Sequence, residues 1–239
     1  MQNATAARGG LFEDIIDVFI NPSAVFERNK NTGFARPALI QSVIFLVLVI
    51  ALKNLVSPYF DAEFERSMAT AAAKGQEIPE AAMATSRKFA GYIGMIGPLV
   101  APWFVALIGG LFTMIGARIV GAKLSFGQSA TIASWSYFPA IIGYLAIAVQ
   151  GALVDSQSIR GVSDSQFGPA RFVDPSTISP SLLGFLQSVD LFSIWTLVLT
   201  AIGVAIVAGV ARGTGSIAAL VRWGLFALVT LGFGLLRPS

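Results

Sequence analysis

Residues 109–145 read GGLFTMIGARIVGAKLSFGQSATIASWSYFPAIIGYL. They hold the end of one apolar segment, a short basic turn and the start of the next. Arg118 and Lys123 are the only charges in this stretch, and both fall in the turn. Two membrane-length segments joined by so few residues must be antiparallel neighbours. The turn must lie at one face of a bilayer, because a charge at the centre of a spanning helix costs roughly 2.5–3.5 kcal/mol.

The composition agrees with that solvent. Of 239 residues, 55% are hydrophobic and 12% are charged, against about 25% charged in soluble domains. The net charge of +3 is spread along the chain. No Lys/Arg cluster is dense enough for nucleic acid. The chain contains neither cysteine nor histidine. That excludes disulfides, thiolate chemistry, imidazole bases and metal sites built on histidine pairs. No cofactor is called for.

Outward from the hairpin, the segment before it covers about 91–117 and is rich in helix breakers: Gly91, Gly94, Gly97-Pro98, Pro102 and the pair Gly109-Gly110. Proline frees backbone groups that neighbours or water must satisfy, so this span should be kinked. A broken helix can line a solute path; small residues equally allow close helix packing. The segment after the turn covers about 127–150. Trp135 and Tyr137 precede Pro139, which should kink it.

Further out, residues 38–56 form a span near the ~20 residues a bilayer requires. Lys53 lies near one end and Ser57-Pro58 stops it. This first apolar run should act as an uncleaved signal-anchor. The polar loop 59–90 contains the alanine-rich DAEFERSMATAAAKG, a helix ending at Gly75, and Pro79 can open a second helix. Glu77 belongs to the same loop. Residues 151–182 are rich in Ser, Gly and Pro without periodicity, which predicts an irregular loop.

The fourth span, about 189–211, opens with SVDLFSIW. Asp190 is the only acid close to a hydrocarbon segment. An acid there is a functional candidate, or a helix cap that accepts backbone N–H groups. Its candidate charge partners are Lys53 and Arg237. Ala201, Ala205, Gly209 and Gly213 form a stripe four residues apart, which suits a tight helix contact. The fifth span covers about 216–236, with Arg222 inside its start.

Residues 1–36 form an N-terminal segment and 37–239 the five-span membrane domain. Residues 1–9 are small and polar and should be disordered. In LFEDIIDVFI, residues 11–20, Leu11, Phe12, Ile15, Ile16 and Phe19 share one helical face, with Glu13, Asp14 and Asp17 opposite. Asn21-Pro22 ends this helix and starts another over 22–29, with Asn21 as cap. Arg28 and Lys30 suit its C-terminus. Both read as amphipathic helices lying at the membrane surface or on the bundle. The fold class is therefore all-α: a polytopic bundle of five transmembrane helices with short N-terminal amphipathic helices. The acid-free turns at 118–123 and Arg212 place the N-terminus in the cytoplasm and the C-terminus outside.

Four stretches resemble the Yip domain family, membrane proteins named for interacting with Ypt/Rab GTPases. They are FEDIIDVFINPSAVFER, the pair Gly109-Gly110, LSFGQSATIASWSYFPAIIG with Tyr137 and Pro139, and SVDLFSIWTLVLTAIGVA with Asp190 and Trp195. The resemblance covers residues 11–236. It implies five spans, a cytosolic N-terminus and an outward C-terminus. For eukaryotic members it implies vesicle traffic and membrane shaping. The long N-terminal region of those members is missing, so a bacterial inner-membrane member is expected, without a Rab-type GTPase as partner.

The candidate residues are thus Asp190, Trp195, Tyr137, Pro139, Gly109, Gly110 and Arg118. The expected function is a non-enzymatic scaffold or accessory subunit, or a role in membrane organisation and trafficking. Its partners would be the lipid bilayer and another membrane protein or a second copy. A transporter or channel component, with Asp190, Lys53 or Arg222 lining a path, is the alternative. An enzyme acting on lipid or peptide would need Asp190 or an outward carboxylate pair, and no such pair stands at catalytic spacing.

Overall fold

Ser125 decides where the central helix starts. Its hydroxyl accepts from the Gln128 N–H at 3.2 Å, and the Gln128 side-chain oxygen accepts from the Ser125 N–H at 3.0 Å. This reciprocal box satisfies two N–H groups that a helix start leaves unpaired. A computed structural model describes residues 10–76 and 79–235. The expectations that fall on 1–9, Glu77 and 236–239, Arg237 included, lie outside the described residues.

All regular structure described is helical: α1 (Leu11–Ile20), α2 (Pro22–Asn29), α3 (Ala35–Ala73), α4 (Glu80–Phe104), α5 (Gly110–Ile119), α6 (Phe126–Ser136), α7 (Pro139–Leu153), α8 (Pro180–Ser188), α9 (Leu191–Ala208) and α10 (Arg212–Leu235). Five helical stretches are long and apolar enough to cross a membrane: Ala35–Ala73, Glu80–Ile119, Phe126–Leu153, Leu191–Ala208 and Arg212–Gly232. The fold is a polytopic helical bundle. The chain divides into two units, each assembled from separated stretches.

The first unit takes residues 1–38, 103–138 and 196–225. Its centre is α6, whose residues from Ser129 to Ser136 are all buried. A helix covered on every side needs small side chains where neighbours approach. Gly110 faces Ala130 so closely that an added Cβ would sit 2.7 Å from the Ala130 Cα. Gly116 lies against the Ala218 carbonyl, and Gly215 against the Ala201 carbonyl. The stripe expected on the fourth span is thus used within the chain at Ala201 and Ala205, both against Gly215. Gly209 instead ends α9 at φ +65°, and an added Cβ at Gly213 would meet nothing. The 118–123 turn closes with Gly121 at φ +76°, and the Ala122 N–H donates to the Ala117 carbonyl at 2.8 Å.

The second unit takes residues 39–102, 139–195 and 226–239. Here Ser57-Pro58 does not stop the first span. Helix α3 runs through Pro58 to Ala73. A spanning helix tolerates proline where neighbours cover the backbone, and Tyr59 is buried while Gly151 packs on the Leu55 carbonyl. The helix ends instead at Gly75, φ +73°, where the Gln76 N–H returns to the Ala71 carbonyl at 3.1 Å.

The stretch 151–182 is more ordered than its composition predicts. Three single 3₁₀ turns, Ser156–Ser158, Val162–Ser165 and Pro169–Phe172, lie within it. One turn is too short to leave a periodic signature. The Gln150 amide bridges the second and third, donating to the Asp164 carbonyl at 2.6 Å and accepting from Arg171 at 2.8 Å. Helix α8, absent from the sequence reading, follows, with Ser179 accepting the Leu182 N–H at 3.3 Å.

Candidate functional site

The glycine pair lies where the second span changes its helical register. Both Pro98 and Pro102 sit inside α4, and the break expected from them appears just beyond, as a π-turn over Val105–Gly109. The Gly109 carbonyl accepts the Thr113 hydroxyl at 2.7 Å and the Arg222 Nε at 3.4 Å. Arg222 Nη1 also donates to the Thr200 hydroxyl at 3.3 Å. One guanidinium therefore ties α10 to α9 and to the turn that opens α5. No carboxylate lies within ion-pair distance of it among the described residues. Its partners are a carbonyl and a hydroxyl, the groups available where a charge inside a membrane must be solvated by protein. Of this pair the sequence points only to Arg222, as a possible path-lining residue, and not to Thr200. The usable signal was a lone cation inside an apolar run.

Arg118 belongs to the same unit but not to this cluster. It is exposed in the basic turn, where it and Lys123 line a shallow cleft of about 460 Å³. Tyr137 is where α6 stops, its N–H donating to the Ser134 carbonyl at 3.2 Å. Phe138 follows, stacked on Trp135 with centroids 5.0 Å apart. Pro139 then begins α7, so the expected kink is a full break between two helices.

Asp190 and Trp195 belong to the second unit. Asp190 caps α9: one oxygen accepts the Phe192 and Ser193 N–H groups at 3.0 and 3.2 Å. Its other oxygen accepts the Phe167 N–H at 3.0 Å. The second bond fastens the loop to the helix start, and the Phe167 and Phe192 rings meet edge-on at 5.6 Å. The seven candidates are divided between the units: Gly109, Gly110, Arg118 and Tyr137 fall in the first, and Pro139, Asp190 and Trp195 in the second. Among the described residues, no group of three His, Cys, Asp or Glu could hold a metal ion.

A further feature is the N-terminal pair of helices in the first unit. Two of the three acids on α1, Asp14 and Asp17, turn toward α2, while Glu13 stays exposed. Asp14 is 2% exposed, and Arg28 of α2 donates to it at 2.8 Å and to Asp17 at 2.6 Å. Asn29 also donates to Asp14 at 3.1 Å. The Asp17 bond raises the Arg28 pKa above the ordinary arginine value; burial opposes this, and Asp14 adds to it. Asn21 makes no side-chain cap bond. With those two acids consumed, α1 presents the opposite stripe to its surroundings: Phe12, Ile16 and Ile20 are 80%, 59% and 74% exposed. These residues are spaced four apart on a helix outside the five apolar stretches.

The Yip1 domain family model matches residues 16–234. The chain is 26% identical to Membrane protein YknW of Bacillus subtilis (strain 168) over 227 residues, 93% of this chain and 90% of that protein. No solved structure matches it.

Proposed function

The chain belongs to the Yip1 domain family, and from that premise we propose that this integral, multi-pass membrane protein is a non-enzymatic scaffold or accessory subunit for another membrane protein. The observation that carries the proposal is the stripe Phe12, Ile16 and Ile20, held outward by the Arg28 clasp. An exposed apolar stripe with fixed helical spacing is an anchor set for a partner groove. Glu13, the exposed acid on the same helix, works against attraction to anionic lipid, which favours a protein partner over the bare bilayer. On this reading the chain sits in a bacterial inner membrane with α1 and α2 on the cytoplasmic side and the C-terminus outside. The acid-free basic turn at Arg118 and Lys123 supports that orientation.

The test is gentle detergent extraction of the tagged protein from its native membrane, with mass spectrometry of what accompanies it. A stoichiometric membrane protein that is lost in Phe12→Asp/Ile16→Asp supports the scaffold. A chain that extracts alone and carries a solute flux after reconstitution overturns it in favour of a transporter.

A further inference from the structure

Helices α3 and α4 leave a groove between them in the second unit. On α3 its wall is one face: Val49, Lys53, Ser57, Phe60 and Phe64 recur at intervals of three to four residues. On α4 it is the face of Arg87, Gly91 and Gly94. The two glycines make the gap, because a Cβ added at either would meet nothing within 4 Å. The groove has a volume of about 110 Å³. Val49 to Phe64 is 15 residues, about 22 Å at ~1.5 Å per residue. The groove is thus long and narrow, suited to an extended chain and too slender for a helix about 10 Å across.

Its chemistry changes along that length. One end is walled by Val49, Met95 and Tyr144, the Tyr144 ring held edge-on to Phe45 at 6.0 Å. The other end is charged. Arg87 lies 3.9 Å from Asp61 and 3.8 Å from Glu65, so its charge is already answered. Lys53 sits between the two ends, one turn below Ser57 on the same face. No carboxylate lies within ion-pair distance of Lys53 among the described residues. A slot with an apolar floor, an unanswered cation above it and a polar rim matches an amphiphile with a phosphate head.

We propose that this groove is a binding site for a single phospholipid, one acyl chain lying over Gly91 and Gly94 and the phosphate meeting the Lys53 ammonium. The occupant is a lipid because the bilayer that surrounds the α3 and α4 spans supplies amphiphiles of this form at high local concentration. An anionic headgroup is preferred over a zwitterionic one, since no carboxylate lies within ion-pair distance of Lys53 among the described residues, while Asp61 and Glu65 lie against Arg87. The site does not depend on the scaffold reading, which rests on α1.

The experiment is native mass spectrometry of the full chain, stripped of lipid in detergent and titrated with phosphatidylglycerol, phosphatidylcholine or glycerol phosphate. Phosphatidylglycerol is expected to bind one per chain, several-fold tighter than phosphatidylcholine, and glycerol phosphate is expected not to displace it. Gly91→Leu/Gly94→Leu fills the groove with good helix formers in open space, so it should fold. It is expected to lose binding at least tenfold. Lys53→Gln should erase the preference for phosphatidylglycerol, and Lys53→Arg should retain it. Binding in the filled variant equal to that of the unaltered chain overturns the site. So does displacement by glycerol phosphate, which would show a bare phosphate site without a chain groove.

Discussion

The Arg222 guanidinium donates to the carbonyl oxygen of Gly109, 113 positions away in sequence. This bond makes the two adjacent glycines unequal. At Gly109 an added Cβ would lie 3.0 Å from Arg222 Nη2, the end of a long side chain that can shift. At Gly110 it would lie 2.7 Å from the Ala130 Cα, which is backbone of the central helix and cannot. Gly110→Ala is therefore expected to destabilise by about 1–3 kcal/mol, the usual cost of overpacking, and Gly109→Ala by clearly less. Thermal unfolding of both variants in the same detergent checks the order. Equal losses would mean that the α5–α6 contact is not tight.

The same site predicts an unusual outcome for removing a charge. In Arg222→Met the Gly109 carbonyl keeps the Thr113 hydroxyl at 2.7 Å, and the Thr200 hydroxyl, which loses Arg222 as a donor, still donates to the Thr196 carbonyl at 2.9 Å, so neither group is left without a partner. Arg222 has no carboxylate within ion-pair distance among the described residues, and an unpaired charge inside a spanning helix costs roughly 2.5–3.5 kcal/mol, which an apolar side chain of similar length removes. Arg222→Met should hold the melting temperature or raise it. A strong fall would show that the guanidinium has a partner beyond Gly109 and Thr200.

Asp190 uses both carboxylate oxygens, and that separates two substitutions. Asn retains one acceptor, so it keeps the Phe192 and Ser193 cap but presents an amide N–H to the Phe167 N–H. Asp190→Asn is expected to cost about 1 kcal/mol, through the loop alone. Asp190→Ala loses the cap as well, about 1 kcal/mol more. Hydrogen exchange at the Phe167 amide should rise in both variants, and at Ser193 in Ala only.

What the sequence made legible follows the length of the signal. The five spans and the hairpin turn each rest on many apolar residues and a few charges, so they appear in the structure with ends shifted by Pro58 and Gly75. Composition around Ser57-Pro58 read as a stop, whereas the packing of Tyr59 and Gly151 carries α3 onward. The apolar stripe of α1 is legible, and so is the acidic face opposite it, but not that Asp14 and Asp17 of that face turn inward. Their inward turn depends on Arg28, which lies 14 positions from Asp14, a separation that no helical periodicity encodes. Likewise nothing local to Gly109 announces Arg222.

The α1–α2 clasp predicts a local failure. Arg28→Ala would leave Asp14, 2% exposed, with only the Asn29 amide. Breaking a buried pair by removing one partner costs roughly 3–5 kcal/mol, less here because the Arg28 side chain is 21% exposed. The expected result is release of α1 without unfolding of the spans, read as new protease cleavage near Asn21 while the transmembrane fragment stays intact. Arg28→Ala/Asp14→Asn/Asp17→Asn should restore protection in part, because the only charge then left without Arg28 is the exposed Glu13.

The loop around Asp164 gives a pH test whose sign is fixed. Burial pushes its carboxyl up, but the Arg160 side chain and N–H, with the charges of Arg160 and Arg171, outweigh that and hold it below the ordinary value. The Arg160 bonds are 2.5 and 3.2 Å to the side chain and 2.8 Å to the backbone. The folded carboxyl thus binds its proton less readily than the unfolded one, whose pKa is about 3.9. Its stabilisation is complete above that value and is lost as pH falls through the lower folded value. Exchange protection of the Arg160 amide, which donates to Asp164 at 2.8 Å, should be flat from neutral pH down to about pH 5 and fall only below about pH 4. In Asp164→Asn the protection should be lower at neutral pH and lose this acid step, once intrinsic exchange rates are divided out. A step that persists in the Asn variant would assign it to another carboxylate in the same loop, with Asp174 the first to examine.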